Sequence, residues 1–239
     1  MITDQEKELY NRQLILPNFS EEQQDKLKNA VVLVIGAGGL ASCLLRYIVG
    51  MGVGNIYIFD DDKVDRSNLQ RQTLYDEDDI GKYKAFCASE KLSKQNSNIN
   101  INGINQRFNR VSFQSNIDAD VDLIIDACDN FETRYEIETI AQINGIPWLF
   151  SSIFEYEGQI SVFNWKSKVQ YSDIFPDPPL IDPTSDGEKI GVLPSLPGIM
   201  GCLQATEVFK VLLDMGEPLD GKLLIYDTLS CLSRIINLN

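Results

Sequence analysis

The sequence predicts an α/β fold: a Rossmann-like open sheet, mostly parallel in its first part, with antiparallel strands in the C-terminal part and helices on both faces. Three observations predict it. An uncharged apolar run at 30–35 leads directly into Gly36-Ala37-Gly38-Gly39 and then into a helical pattern. Short apolar runs then alternate with helical ones as far as residue 155, the order of parallel strands joined by crossover helices. Beyond that point the pattern becomes a two-residue alternation, the mark of antiparallel strands.

The elements follow in order. Thr3 with Glu6, and Ser20 with Gln23, have capping-box spacing and predict two helix starts within residues 1–29. Residues 30–35 read as a buried strand, 36–38 as a glycine turn, 39–51 as a helix and 55–60 as a second strand. A membrane span across 30–45 is rejected, because glycines interrupt the run and Arg46 ends it. A helix is expected over 82–94, a strand over 99–103, a buried strand over 121–127, a helix over 130–143 and a strand over 146–152. Residues 157–165 alternate like an antiparallel strand. Residues 166–195 are rich in Pro, Asp, Ser and Lys and read as a long mobile connection. A helix at 198–213 and strands at 222–227 and 233–238 complete one domain over 1–239. Its parts are N-terminal helices (1–29), a nucleotide-binding half (30–155) and a second half (156–239).

Composition narrows the chemistry. The chain has 239 residues, 35 acidic and 21 basic side chains, a net charge of −14 and no histidine. Triads, imidazole acid-base groups and histidine metal ligands are excluded. The negative charge disfavours nucleic acid as a partner. Neither a secretory leader nor a membrane partner is expected, and a cytoplasmic location is the simplest reading. Cys43, Cys87, Cys128, Cys202 and Cys231 are scattered and form no C-x-x-C pair, so neither a zinc site nor a disulfide framework is suggested.

Three strand-end loops carry candidate chemistry. Gly36, Gly38 and Gly39 sit between a strand and a helix, where small residues admit a phosphate to the helix N-terminus. Asp60 ends the next strand and can accept from ribose hydroxyls. On these features alone an NAD-linked oxidoreductase is the default. The following segment, Asp60-Asp61-Asp62-Lys63-Val64-Asp65-Arg66-Ser67-Asn68-Leu69-Gln70-Arg71-Gln72, shifts the reading to a triphosphate, whose charge needs neutralising at several points. The competing view is a polar solvated loop. Lys84, taken alone, reads as a surface lysine. Asp126 and Asp129 are both candidate magnesium ligands, and Asp129 is equally a candidate helix N-cap.

Together these stretches resemble the MoeB/ThiF/HesA family, bacterial relatives of the ubiquitin-activating enzymes. The resemblance rests on YNRQL (10–14), GAGGLA (36–41), DDDKVDRSNLQRQ (60–72), GKYK (81–84), ACDN (127–130), EGQISVF (157–163) and PGIMGCLQATE (197–207). It departs from the glycine fingerprint at Ala41. It implies an ATP- and magnesium-dependent adenylyltransferase acting on the C-terminal carboxylate of a small ubiquitin-like carrier with a Gly-Gly end. It further implies that Gly36, Gly38, Gly39, Asp60, Asp62, Ser67, Asn68, Leu69, Gln70, Arg71, Lys84, Asp129 and Asn130 line the nucleotide. Arg71 and Lys84 would neutralise phosphates, Asp129 would hold magnesium, and Arg12 would reach the γ-phosphate from the partner subunit of a homodimer.

Two departures from the family bear on chemistry. The first zinc pair falls on Gln170 and Asp173, and the second beyond Asn239, so no structural zinc is expected. The transfer cysteine would fall within 185–190, which contains none. Sulfur would then come from another protein. Cys43, Cys87 and Cys202 read as core, and Cys128, beside Asp129, as small buried filler. The alternatives are an acceptor that is a peptide or modified transfer-RNA nucleoside, and a non-catalytic paralogue. The presence of Arg12 together with Arg71, Lys84 and Asp129 argues for a self-sufficient homodimer.

Overall fold

A computed structural model describes residues 2–177 and 191–238. Its centre is an eight-stranded sheet with the order β3-β2-β1-β4-β5-β6-β7-β8. The first five strands are β1 (Val31–Ile35), β2 (Asn55–Phe59), β3 (Asn100–Ile104), β4 (Leu123–Asp126) and β5 (Trp148–Phe154), all parallel. The last three are β6 (Glu157–Phe163), β7 (Lys222–Asp227) and β8 (Leu232–Asn237), each antiparallel to its neighbour. The expected switch from parallel to antiparallel therefore falls at the β5–β6 hairpin.

Side-chain alternation explains the two layers of helix. On β1, Val32 and Val34 point to one face, and Leu33 and Ile35 to the other. The first face is covered by α3 (Glu21–Asn29), α4 (Gly39–Gly50), α5 (Lys84–Gln95) and α8 (Ser195–Leu213). The second is covered by α6 (Arg110–Asn116), α7 (Phe131–Asn144) and the 3₁₀ turn Tyr171–Asp173. A dense aromatic group on this side joins Trp148, Phe150, Phe163 and Tyr171. Helix α8 is long and apolar enough to span a membrane by composition, but it is a core helix: Leu196, Met200, Ala205 and Val208 are buried against the sheet and α4.

Both capping boxes form. Thr3 caps α1 (Asp4–Leu9) with Glu6, and Ser20 caps α3 with Gln23. A short helix, α2 (Asn11–Leu14), lies between them. Several expected boundaries move by one to three residues: α8 begins at Ser195 rather than 198, and α5 runs Lys84–Gln95 rather than over 82–94. Helix α6 was not expected. Its start is set by Asn109, whose side chain accepts from the amides of Val111 and Ser112. The connection after β6 is not uniformly loose, since Tyr171 is 1% exposed in the core. Residues 178–190 lie outside the described residues, and with them the span 185–190 where a transfer cysteine was sought.

The cysteines divide differently from the expectation. Cys87 and Cys128 are buried, whereas Cys43 and Cys202 are only half-buried and Cys231 is exposed. Gln170 and Asp173, the positions matching a zinc pair, instead cap the 3₁₀ turn: the Gln170 amide donates to the Asp173 carboxylate at 2.8 Å.

Candidate functional site

The loops that follow β1, β2 and β4 meet at the carboxyl edge of the parallel strands. This is where an open α/β sheet leaves a ligand crevice. The first loop is the glycine turn. Gly36 has φ +98°, and a Cβ there would stand 2.5 Å from the Ala127 carbonyl oxygen. Only glycine therefore lets the β1 and β4 loops touch. Gly38 begins α4 with no side-chain cap, so the first-turn amides are left for an anion. A Cβ on Gly39 would press on Pro197 of α8 at 3.0 Å.

The second loop is tied to the first by Asp60. Its Oδ2 accepts from the Ala37 amide at 2.7 Å and its Oδ1 from the Asp62 amide at 2.9 Å. Burial pushes the Asp60 carboxyl up to about 6, against the opposing effects of Lys84 and the two amides. The sign for stability follows. The folded chain binds this proton more tightly than the unfolded one, so the contribution is full below the ordinary 3.8 and is lost as pH rises through about 6.

Asp62 is exposed, and its carboxylate holds the Lys84 ammonium at 2.8 Å. Lys84 is not the surface lysine that its neighbourhood in sequence suggested. It is 6% exposed, at the first position of α5, with its amide bonded to the Asp62 carbonyl. The segment 66–72 packs over the glycine turn. The Asn68 side chain accepts from the Asp65 amide, and Arg71 donates to the Ser67 carbonyl at 3.2 Å. Ser67 and Gln70 are exposed, and Leu69 packs on the core.

The third loop carries Asp129. Asn130, not Asp129, caps α7, its Oδ1 accepting from the Thr133 amide at 2.9 Å. Asp129 is thereby left exposed, with no hydrogen bond or ion pair among the described residues. Asp126 corrects the expectation of a second magnesium ligand. It is 0% exposed, and it accepts from Arg134 Nε at 3.2 Å and from the Cys128 amide at 2.9 Å. Desolvation raises its pKa despite the facing guanidinium. Its lone pairs are committed inside the core, out of reach of a hydrated cation.

Tyr75 and Arg134 carry no signal in the sequence, and Gln72, the last residue of the polar segment 60–72, takes a place that the segment alone does not predict. The Tyr75 hydroxyl donates to the Ala37 carbonyl at 2.7 Å and so braces the phosphate turn. Gln72, 4% exposed, places its amide nitrogen 3.6 Å from where a Gly38 Cβ would be, and its Oε1 has no partner among the described residues. Arg134 is the buried clamp beneath the Asp129 loop.

Arg12 is not brought to this cluster. It is exposed on α2, which is docked at the far end of α4. There Gln13 bonds the Gln24 side chain (2.7 Å) and the Met51 carbonyl (3.1 Å), and Asn96 bonds the Tyr10 hydroxyl (2.8 Å). Met51 is the C-cap of the same helix whose N-terminus is the phosphate turn. A twelve-residue helix is about 18 Å long, farther than an arginine side chain reaches.

An uncapped helix N-terminus, the buried Asp60 carboxylate, a buried lysine and an exposed carboxylate without a partner among the described residues gather at neighbouring strand ends of an open α/β sheet, the edge at which such folds bind ligands. Comparison with known proteins makes this specific. The ThiF family profile matches residues 10–239, and the chain belongs to the ThiF family. It is 38% identical over 237 residues to the sulfur carrier protein adenylyltransferase of Thermus thermophilus, covering 97% of this chain and 87% of that one. It is 38% identical over 220 residues to the SAMP-activating enzyme E1 of Haloferax volcanii, covering 92% and 81%. The chain is accordingly an adenylyltransferase that uses ATP. Among solved structures, E. coli MccB with a MccA variant superposes at a TM-score of 0.85 with 21% identity, over 98% of this chain and 72% of that one. PaaA gives 0.83 with 22% identity, over 100% and 85%. At such identities these likenesses concern the fold.

Proposed function

We propose that the chain adenylates the C-terminal carboxylate of a small ubiquitin-like sulfur carrier ending in Gly-Gly, as a homodimer working in the cytoplasm. The names of the relatives support the substrate class. The observation that carries the reading is that three neighbouring strand ends present an uncapped helix N-terminus, the Asp62–Lys84 pair, and an exposed Asp129 that has no partner among the described residues.

The chemistry suits these residues. A C-terminal carboxylate is already ionised at neutral pH and needs no general base, so a chain without histidine loses nothing. The barrier is charge repulsion and alignment at the α-phosphate. Lys84 and Arg71 neutralise phosphate oxygens, and the amides of the glycine turn hold them. Asp60 accepts from the ribose. Asp129 offers the hard oxygen ligand that magnesium takes alongside phosphate oxygens, and magnesium when bound would spread the triphosphate charge. Sulfur then arrives from a separate donor protein.

The far position of Arg12 supports a site completed by a second copy. Arg12→Ala and Lys84→Ala should each be inactive in ATP–pyrophosphate exchange with a cognate carrier. Mixed in equal amounts and allowed to exchange subunits, they should recover about a quarter of wild-type activity, because one site per mixed dimer is intact. No recovery would place Arg12 in its own chain's chemistry or outside the reaction. Exchange driven by a free peptide, and by no carrier, would replace the substrate assignment.

Asp60 gives a pH dependence. Its charged form is the better acceptor for ribose, so ATP affinity should fall as pH drops through about 6. Calorimetric titration between pH 5 and 8 measures it. Asp60→Asn should bind more weakly and with a flat profile over the same range; an identical slope in both proteins would remove Asp60 from the effect.

A further inference from the structure

Helix α7 touches two places that the sequence keeps apart. At its N-terminal end it carries the Asp129 loop. Arg134 donates from Nε to Asp126 and from Nη2 to the Cys128 carbonyl, both at 3.2 Å, so the turn that displays Asp129 is held from beneath. One helical step further, the same helix grips residues 171–175. Glu138, 5% exposed, accepts from both the amide (2.8 Å) and the hydroxyl (3.0 Å) of Ser172. The Tyr135 hydroxyl donates to the Phe175 carbonyl at 2.7 Å. The Arg134 guanidinium lies 5.4 Å over the Phe150 ring, which in turn packs 5.3 Å from Tyr171.

A buried ion pair and a buried carboxylate are poor devices for stability alone, since well-packed apolar groups do as well. They do fix geometry. Arg134, Glu138 and Tyr135 each make at least one of these bonds to the backbone of one of the two segments. The chain that leaves 171–177 re-enters the described structure at Gly191. There the Leu193 amide bonds the Glu155 carbonyl at 3.0 Å, and α8 then begins against Gly39. The segment after β6 is thus anchored on one side to the helix that follows the Asp129 loop.

We propose that α7 is a strut and that Glu138 and Tyr135 are positioning residues: they hold residues 171–175 in register with the Asp129 loop, so that nucleotide binding at the loop tightens both. The inference rests on the nucleotide site proposed above. Because the two segments are hydrogen-bonded to one helix, stabilising one end suppresses local opening at the other.

Hydrogen exchange on the full-length chain tests it, with magnesium and a non-hydrolysable ATP analogue as the probe. In the wild type, the analogue should slow exchange at least fivefold in peptides covering 36–41, 126–131 and 171–177. In Glu138→Ala, and in the milder Tyr135→Phe that keeps the ring packing, slowing at 36–41 and 126–131 should persist while that at 171–177 falls below twofold. Glu138→Gln, which keeps an acceptor for Ser172, should restore most of it. Wild-type protection confined to 36–41 and 126–131 would overturn the strut, as would protection at 171–177 that survives both cuts. An absence of slowing at 36–41 would refute the nucleotide site itself and the strut with it.

Discussion

Lys84→Ala is expected to lower ATP–pyrophosphate exchange by roughly 100- to 1,000-fold, the loss typical of removing one preorganised charge from a reacting centre. The structure makes this a clean test. Lys84 is 6% exposed and its ammonium is held at 2.8 Å from Asp62, at the mouth of the crevice between the β1 and β2 loops. Its removal leaves behind Asp62, whose side chain is 71% exposed, so the carboxylate is simply hydrated. Buried Asp60 also loses the favourable charge of Lys84, so a loss of stability accompanies the loss of exchange. Denaturation and exchange measured on the same preparation separate the two effects. Near-normal exchange from a folded variant would remove Lys84 from the chemistry.

Arg134→Met should have the opposite profile, a large loss of stability. It leaves Asp126, 0% exposed, as an unpaired buried carboxylate. Breaking one side of such a pair costs about 3–5 kcal/mol. The loss should depend on pH with a definite sign. Burial already raises the Asp126 pKa in the presence of Arg134. Without the guanidinium it rises further, so the folded variant takes up a proton that the unfolded chain does not hold above the ordinary 3.8. The penalty is then smallest in acid and grows as pH rises towards neutrality. Urea unfolding at pH 5 and pH 7 reads this directly. Adding Asp126→Asn should recover part of the loss at pH 7. A pH-independent penalty would mean that packing over Phe131 and Phe150, not charge, is what Arg134 supplies.

Much of this was legible in one dimension because the physics is local. Strand β1 and the glycine turn declare themselves through an uncharged run that ends in small residues. The two N-terminal helix starts follow from side chains three residues apart that satisfy each other's amides. The β5–β6 hairpin follows from the change of period. Gly36, Asp60 and Asp129 are placed together because each follows a parallel strand, and the carboxyl ends of parallel strands share one edge of the sheet. Helix α6 was missed because its seven residues carry too short a pattern to stand out.

What the sequence by itself determined was the fold class and the order of the strands and longer helices, consequences of period and of local hydrogen bonding. Only the tertiary structure decided what each charge is for. Asp126 and Asp129 are three positions apart and look equivalent on paper. Burial sends one to Arg134 and leaves the other exposed, with no partner among the described residues. Lys84 looks like a surface lysine until α5 packs, burying it against Asp62 with its charge also acting on Asp60. Arg12 belongs to the same motif set, yet it is held at the opposite end of α4 by Gln13, Gln24 and Met51. Solvation and distance in space separate these roles, and neither is written in spacing along the chain.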